Sequence, residues 1–273
     1  MKLAFYTYSY TDRQNMPVRE CLARIAKTGY GGVDESGTFG KSDDPKSVTA
    51  ERRKLIRETA RVHRLSVEGV ITHAELTRTL NTDTPLDLKG SIDLAVDLGA
   101  SLVTFHMGGR VEGLSDQELW NRTVKRIREA ADYGAAKHVA LAVDGIWPTW
   151  IVDSPDTLQK LFDDVGAPTF GVNLDPSYLT LIGIDPVKFV RRFAPKIRHA
   201  HLKDHAGQYP RWEHRIPGKG EMNYVPIFAA LADAEFRGSL AVECFTNMKF
   251  EEACDDGYVA MARALREAGA GVP

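Results

Sequence analysis

The sequence has 273 residues, of which 43% are hydrophobic and 26% charged, a composition typical of a globular protein. Its formal net charge of −2 provides no basic field for a nucleic acid, and no apolar run approaches the roughly 20 residues that span a bilayer. The 3 cysteines are scattered, which favours reduced thiols, and the N-terminus shows no signal-peptide pattern. We therefore expect a cytoplasmic protein without nucleic-acid or membrane partners, and homo-oligomer formation is left open.

Short apolar segments alternate with longer amphipathic segments along the chain. The short segments are rich in β-branched and aromatic residues, as expected of strands that are buried on both faces. The pattern predicts eight strands, at Lys2–Tyr8, Gly31–Glu35, Leu65–Ile71, Ser101–His106, Val139–Asp144, Thr169–Asp175, Ile197–Leu202 and Ser239–Glu243.

The amphipathic segments carry signals for the start of a helix. Proline follows a capping residue at Thr84-Pro85, Ser154-Pro155 and Asp185-Pro186. Eight strand–helix units without a linker predict an α/β fold, a single (β/α)₈ barrel that covers residues 1–273. An open doubly wound sheet is the alternative, but the first strand leads into Thr7-Tyr8-Ser9-Tyr10 instead of a glycine-rich phosphate loop.

Titratable side chains lie at the ends of most predicted strands. The first strand ends in Tyr8 and Tyr10, and the others end on or just before Glu35, His73, His106, Asp144, Asp175, His201 and Glu243. Each residue alone is as easily explained as a helix cap or an ion-pair partner. Together they converge on one barrel mouth, where crowded carboxylates require a compensating cation. The set predicts one divalent metal ion, Mn²⁺, Mg²⁺ or Co²⁺ in preference to Zn²⁺.

Three motifs in the second half of the chain are similar to a known family. The strings Gly171-Val172-Asn173-Leu174-Asp175-Pro176-Ser177, His199-Ala200-His201-Leu202-Lys203-Asp204 and Ala241-Val242-Glu243 resemble strands six, seven and eight of the xylose isomerase-like barrel superfamily. This superfamily contains sugar and inosose isomerases, ketose 3-epimerases, related dehydratases and endonuclease IV. The resemblance extends over nearly the whole chain in strand order.

The resemblance implies a set of metal ligands. In the isomerase and epimerase branch, Glu, Asp, His and Glu from strands five to eight hold the metal ion, which corresponds here to Asp144, Asp175, His201 and Glu243. Asp144 departs from this pattern because its carboxylate reaches less far than that of a glutamate. Endonuclease IV has a histidine and an aspartate as zinc ligands where this chain has Tyr178 and Trp212, so the resemblance favours one metal ion over a zinc cluster.

The resemblance also implies an isomerase or epimerase of a keto sugar or keto-polyol that works through an enediolate. Glu243 and Asp144 would take and return the proton, and Lys203 would stabilise the enolate oxygen or pair with Asp204. The carbohydrate substrate is expected to contact a further group of side chains, namely His73, His106, Trp147, His214 and Arg215.

The loop at residues 203–222 is long, aromatic and polar, which predicts a lid over the barrel mouth. A solvated insertion is the alternative. Within this loop, Gly218-Lys219-Gly220 is either a phosphate cradle or a turn.

Three other functions remain open at this stage. The first is a lyase or dehydratase that uses the same enolate step with one base, because Asp144 is short. The second is an abasic-site endonuclease, against which the low basicity and the residues Tyr178 and Trp212 count. The third is a sugar-binding barrel without catalytic activity, since binding and turnover can use the same side chains.

Overall fold

A computed structural model of the chain describes residues 1–36, 44–80, 82 and 86–271. In these residues a closed barrel of parallel strands is surrounded by helices, and an antiparallel pair of strands forms a hairpin outside the barrel. The barrel strands are β1 (Lys2–Tyr6), β2 (Gly32–Ser36), β3 (Ser66–Glu75), β4 (Leu102–His106), β5 (Ala140–Asp144), β6 (Phe170–Leu174), β7 (Ile197–Leu202) and β10 (Ser239–Val242), and the hairpin strands are β8 (Asp204–Gln208) and β9 (Arg211–Arg215). The predicted (β/α)₈ barrel is confirmed.

Helices follow the barrel strands and cover the outside of the barrel. They are α1 (Tyr8–Thr11), α2 (Val18–Thr28), α3 (Ala50–Val62), α4 (Leu76–Thr79), α5 (Leu88–Leu98), α6 (Asp116–Ala135), α7 (Pro155–Val165), α8 (Pro176–Leu181), α9 (Pro186–Phe193), α10 (Val225–Asp233) and α11 (Phe250–Glu267). Short 3₁₀ turns lie at Pro45–Ser47 and Ala194–Lys196. No helix in the described part of the chain has the length and apolar character needed to cross a membrane.

Two of the three predicted helix starts are confirmed. Ser154 caps α7 by accepting a hydrogen bond from the backbone N–H of Thr157, and Asp185 caps α9 in the same way. The third prediction, at Thr84-Pro85, lies on residues outside the described ranges. The helix concerned, α5, begins later, at Leu88, because Asp87 accepts a hydrogen bond from the N–H of Gly90 and provides the cap.

The first strand is shorter than predicted, and this moves Tyr10 away from the mouth. Strand β1 ends at Tyr6, and the chain then turns into α1. The ring of Tyr10 packs against Phe5 and Phe250, with ring centroids 5.8 and 4.8 Å away. Tyr10 therefore belongs to the apolar layer between barrel and helices, whereas we expected both Tyr8 and Tyr10 at the strand end.

Candidate active site at the barrel mouth

Lys203 lies between two of the carboxylates that we predicted to bind metal. Its Nζ is 2.6 Å from Oδ2 of Asp175 and 2.9 Å from Oε2 of Glu243. The lysine is 2% exposed, so burial alone would lower its pKa, but the charges of Asp175 and Glu243 outweigh burial and raise it well above the ordinary value. Lys203 is thus a buried ammonium ion that compensates two carboxylates, and it does not pair with Asp204.

Asp204 instead binds the backbone near the end of the segment at residues 203–222. Its Oδ2 accepts hydrogen bonds from the N–H groups of Gly218, at 2.8 Å, and Gly220, at 3.1 Å. A Cβ at position 220 would lie 2.2 Å from Oδ1 of Asp204, so this close approach requires glycine. Lys219 points away to Asp256 on α11, with its Nζ 2.5 Å from Oδ2. The Gly218-Lys219-Gly220 turn therefore binds the carboxylate of Asp204, and its amides do not form a free phosphate cradle.

Asp144 has both carboxylate oxygens occupied. Nε2 of His106 lies 2.9 Å from Oδ2, and Nδ2 of Asn173 donates a hydrogen bond of 2.6 Å to Oδ1. Burial would raise the pKa of Asp144, but the hydrogen bond from His106 and the charge of Lys203 lower it far below the ordinary value. Asp144 is consequently held as a carboxylate by fixed neighbours. Asn173, which sequence reasoning did not identify as a site residue, is one of them.

His201 presents a different partner to each ring nitrogen. Its Nδ1 is 2.9 Å from Oε2 of Glu243 and 4.0 Å from Oδ1 of Asp144, while its Nε2 is 3.3 Å from Oδ2 of Asp34. The Nδ1 and Oε2 atoms are close, but neither has a partner in hydrogen-bond geometry within the described ranges. Buried atoms of this kind usually have a partner. Oε2 of Glu243 still has the ammonium of Lys203 as its ion-pair partner, so the atom left without a partner is Nδ1 of His201, which is consistent with a metal ligand.

A second set of donor atoms lies beneath His201. Asp34, His199 and His201 are all buried, and one donor atom from each lies within 4.8 Å of the others. The three side chains together could hold one metal ion. Sequence reasoning missed Asp34 and His199, because it selected Glu35 at the end of the second strand.

Glu35 faces the helices and not the mouth. The charged groups that act most strongly on it are Asp12 and Arg52, with a smaller effect of Asp34, and it in turn acts on Cys21 of α2. Burial, together with the charge of Asp12, raises the pKa of Glu35 from 4.5 to about 8. The expectation that Glu35 joins the cluster at the mouth is therefore wrong, since successive residues of a strand point to opposite faces.

His73 belongs to a stacked group on the β1 side of the mouth. Its Nε2 is 2.6 Å from the hydroxyl oxygen of Tyr6, and the Tyr8 ring stacks on it with centroids 3.9 Å apart. Burial and the neighbouring His106 lower the pKa of His73 to about 3, so it is a neutral imidazole at physiological pH. His73 is therefore suited to act as a neutral hydrogen-bonding group, and its Nε2 already bonds to the hydroxyl of Tyr6.

The opposite side of the mouth is formed by aromatic residues from the hairpin, from α8 and from the segment after β5. The Trp147 ring lies 5.1 Å from that of Tyr178, 5.4 Å from that of Tyr209 and 5.5 Å from that of Trp212. The Tyr178 ring in turn covers Lys203, with its centroid 4.2 Å from Nζ. This aromatic wall, defined as Trp147, Tyr178, Tyr209 and Trp212, thus extends from the carboxylate cluster to the hairpin.

Two other predicted substrate contacts lie further out on the hairpin. His214 stacks on Phe245 with ring centroids 4.0 Å apart, and burial together with the charge of Lys203 lowers its pKa to about 4. Arg215 is exposed and pairs with Glu213 on the same strand. The structure thus brings Asp144, Asp175, His201, Lys203 and Glu243 together and leaves Arg215 on the outer part of the hairpin.

The chain is similar to known proteins in both sequence and structure. Residues 22–268 match the family described as xylose isomerase-like TIM barrel. The chain belongs to this family. The resemblance inferred from the three motifs is confirmed.

Several known proteins are similar to the chain. The inosose dehydratase of Bacillus thuringiensis (strain Al Hakam) is 18% identical over 251 residues, which cover 82% of this chain and 80% of the relative. A crystal structure of the IolI protein with a bound zinc atom has a TM-score of 0.80 and 17% identity, covering 98% of this chain and 99% of the other. D-allulose 3-epimerase from Methylomonas sp., solved with D-allulose, has a TM-score of 0.79 and 16% identity, with 97% of each chain covered. At these identities the two structures support the fold.

Proposed function

We propose that the chain is a metal-dependent enzyme that isomerises or epimerises a keto sugar or keto-polyol, removing a proton from the carbon next to the ketone. The observation that carries this proposal is the buried His201 Nδ1, which has no partner in hydrogen-bond geometry in the described ranges and lies 2.9 Å from Glu243 Oε2, an oxygen that also contacts Lys203. Relatives described as an inosose dehydratase and a D-allulose 3-epimerase act on compounds of this class and support it.

The residues we propose to hold the ion are Asp144, Asp175, His201 and Glu243. Three carboxylates and one imidazole suit Mn²⁺, Mg²⁺ or Co²⁺, and the zinc atom in the IolI structure supports including Zn²⁺ among the candidates. When bound, a divalent ion polarises a ketone oxygen and makes the neighbouring C–H bond more acidic.

Glu243 is the residue we propose as the base. Burial would raise its pKa, but the charges of Lys203 and His201 lower it to about 2, so Glu243 is ionised at neutral pH and free to accept a proton. The ammonium of Lys203, 2.9 Å from Glu243, is the group we propose to stabilise negative charge on the substrate oxygen. After proton transfer, the protonated Glu243 can return the proton to the same face of the substrate.

A lyase or dehydratase is the second candidate, and the surroundings of Asp144 favour it. An epimerase needs a second group that donates a proton to the opposite face of the carbon. Asp144 was expected in this role, but His106 and Asn173 occupy both of its oxygens. Elimination requires only the base Glu243 and an acid for the leaving group, for which His106 is the nearest candidate at this side of the site.

We propose that the substrate is a carbohydrate without a phosphate group. The amides of Gly218 and Gly220 are already bound to Asp204, which supports this choice. His73, His106 and His214 offer ring nitrogens for hydroxyl groups, and the aromatic wall offers flat apolar surface for the C–H face of a sugar ring. In this proposal residues 203–222 act as the lid, with Trp147 as its contact on the barrel, and Arg215 contacts substrate only when the lid closes.

The unpaired, buried thiols of Cys21, Cys244 and Cys254 support a reducing compartment, and we propose the cytoplasm.

Turnover of a panel of unphosphorylated keto sugars and keto-polyols tests the proposal. Protein stripped with a chelator and then reloaded with Mn²⁺ should convert at least one member of the panel, and the stripped protein should not. A product of equal mass identifies an isomerase or epimerase, whereas a product that has lost water or an alcohol identifies a lyase. Equal rates with and without metal would refute the proposal.

A further inference from the structure

Asp34 lies beneath the proposed metal site and contacts two histidines with a single oxygen. Its Oδ2 is 2.8 Å from Nε2 of His199 and 3.3 Å from Nε2 of His201. All three residues are at most 1% exposed. Asp34 comes from β2, across the barrel from β7, so this contact connects opposite walls of the barrel interior.

The contact determines which nitrogen of His201 faces the mouth. An imidazole that binds a metal ion through one nitrogen carries its proton on the other, and that N–H typically binds a carboxylate or a carbonyl. With Nε2 directed to Asp34, the Nδ1 atom is directed to Glu243 and Asp144, at 2.9 and 4.0 Å. A rotated ring would direct Nδ1 away from both carboxylates.

We propose that Asp34 is a positioning residue, which holds His201 through its Nε2–H so that Nδ1 is the nitrogen that binds the metal ion. This inference rests on the metal site of the proposed function. It also assigns a role to the group formed by Asp34, His199 and His201, which orients a ligand and is not itself the metal site.

The hydrogen bonding of the two candidate sites supports this assignment. Oδ2 of Asp34 already has two imidazole partners, so it has little need of a cation. On the other side of the ring, His201 Nδ1 lacks a partner in hydrogen-bond geometry among the residues that the structure describes. The metal ion is expected where a buried polar atom lacks a hydrogen-bond partner.

The direct test identifies the metal-bound nitrogen of His201. The full chain, labelled with ¹⁵N-histidine and loaded with Zn²⁺ as a diamagnetic probe, is measured by long-range ¹H–¹⁵N correlation, with His199→Gln used to distinguish the two rings. We expect Nε2 to be protonated and Nδ1 to carry the shift of a metal-bound nitrogen. Zinc bound at Nε2 would overturn the inference.

Substitution of Asp34 provides a second test with a matched control. Asp34→Asn should weaken Zn²⁺ affinity, measured by competition with a chelator, by about 10–100-fold, as loss of the partner of a ligating histidine does in other sites. Glu35→Gln changes the next residue on the same strand, which faces the helices, and should leave the affinity unchanged. Wild-type affinity in a folded Asp34→Asn variant would refute the inference.

The two proposals fail in different ways. If Asp34→Asn does not fold, the NMR measurement on the wild-type chain still decides the role of Asp34. Zinc bound at Nδ1 together with no turnover of any keto compound would refute the proposed function and leave the role of Asp34 intact. Turnover together with zinc bound at Nε2 would refute the role of Asp34 and leave the proposed function intact.

Discussion

Lys203 explains how buried carboxylates can be tolerated at the barrel mouth. Asp175 and Glu243 both contact its ammonium group, at 2.6 and 2.9 Å. Without a cation between them, two buried carboxylates would repel each other and one would take up a proton. The lysine therefore supplies part of the positive charge that the sequence led us to assign wholly to a metal ion, and removing it would leave both charges uncompensated.

The raised pKa of Glu35 predicts how the stability of the protein depends on pH. Its pKa is about 8 in the folded protein and 4.5 ordinarily, so between these values the unfolded chain has released a proton that the folded chain keeps. At this group the unfolded state then binds fewer protons, so the contribution of Glu35 to the free energy of unfolding falls as the pH rises through this window. Glu35→Gln should flatten the fall, as measured by urea unfolding at a series of pH values.

Glu68→Gln is the control for this measurement. Glu68 is a partly buried carboxylate whose pKa is lowered, since Lys2, Ser239 and Ser66 outweigh the effect of burial. The contribution of Glu68 to the free energy of unfolding changes only below its ordinary pKa. The pH dependence of the free energy of unfolding between pH 4.5 and about 8 should therefore persist in this variant. An equal slope in wild type and Glu35→Gln would show that Glu35 is not the group responsible.

Residues at strand ends could be predicted from the sequence, but the direction of each side chain could not. Asp175, His201 and Glu243 were identified because a polar residue ends an apolar run. At the second strand the same reasoning chose Glu35, although Asp34 points into the barrel and contacts His199 and His201. A shift of one residue reverses the face of a strand, and an apolar run buried on both faces contains no alternation that would reveal the inward positions.

Among the elements, the segment at residues 203–222 is more ordered than the sequence led us to expect. Residues predicted as a loop form the hairpin of β8 and β9, in which Arg211 pairs with Gln208 and Arg215 with Asp204. The string Arg211-Trp212-Glu213-His214-Arg215 alternates charged and ring-bearing residues, and its half-buried positions are Trp212 and His214. This period of two is the signal for a strand with one covered face, and it could have been recognised.

From the contacts in the aromatic wall, we predict that this hairpin increases the affinity for the substrate. Trp212→Ala would remove the ring that lies 5.5 Å from Trp147. Because aromatic contacts of this kind contribute about 0.5–1.5 kcal/mol beyond their buried area, KM for the keto substrate should rise several-fold while metal content stays constant. Steady-state kinetics measures the first quantity and elemental analysis the second.

Gln208→Ala, at the exposed end of the same hairpin, is the control for that change. It should leave KM unaltered. If Trp212→Ala leaves KM at the wild-type value, the hairpin is a solvated insertion and not a lid.

Closure of the barrel brings residues that are far apart in sequence into contact inside it. Asp34 and His201 are 167 residues apart in sequence and touch through side chains. Strand–helix alternation predicted the barrel, since eight repeated units have few other ways to bury their apolar faces. The contacts across the mouth depend on strand tilt and register, as in the irregular register between Val172 and Asn173, and no local pattern in the sequence specifies these.

The convergence of ligands on one point predicts the metal content. Protein purified without a chelator should contain about one divalent ion per chain by elemental analysis, because the four proposed ligands form one site. Asp175→Asn should lower this content and reduce the gain in melting temperature on adding metal, since an ion that binds only the folded state stabilises it.

Asp185→Asn is the matched control for this substitution. Asp185 is an exposed cap of α9, so its replacement should affect the helix and leave the metal content unchanged. Two or three zinc ions per chain would contradict the single site and favour the endonuclease type of centre.

Solvent exchange tests most directly whether Glu243 removes a proton next to a ketone. Metal-loaded wild-type protein that turns over its keto substrate in D₂O should incorporate deuterium at that carbon, in the product or in recovered substrate. Glu243→Gln keeps the shape and an oxygen donor but cannot accept a proton, so exchange should fall by about 10²–10⁴-fold while metal stays bound. Exchange at the wild-type rate in metal-loaded Glu243→Gln, or none in the wild type with any keto sugar or keto-polyol, would contradict the proposed mechanism.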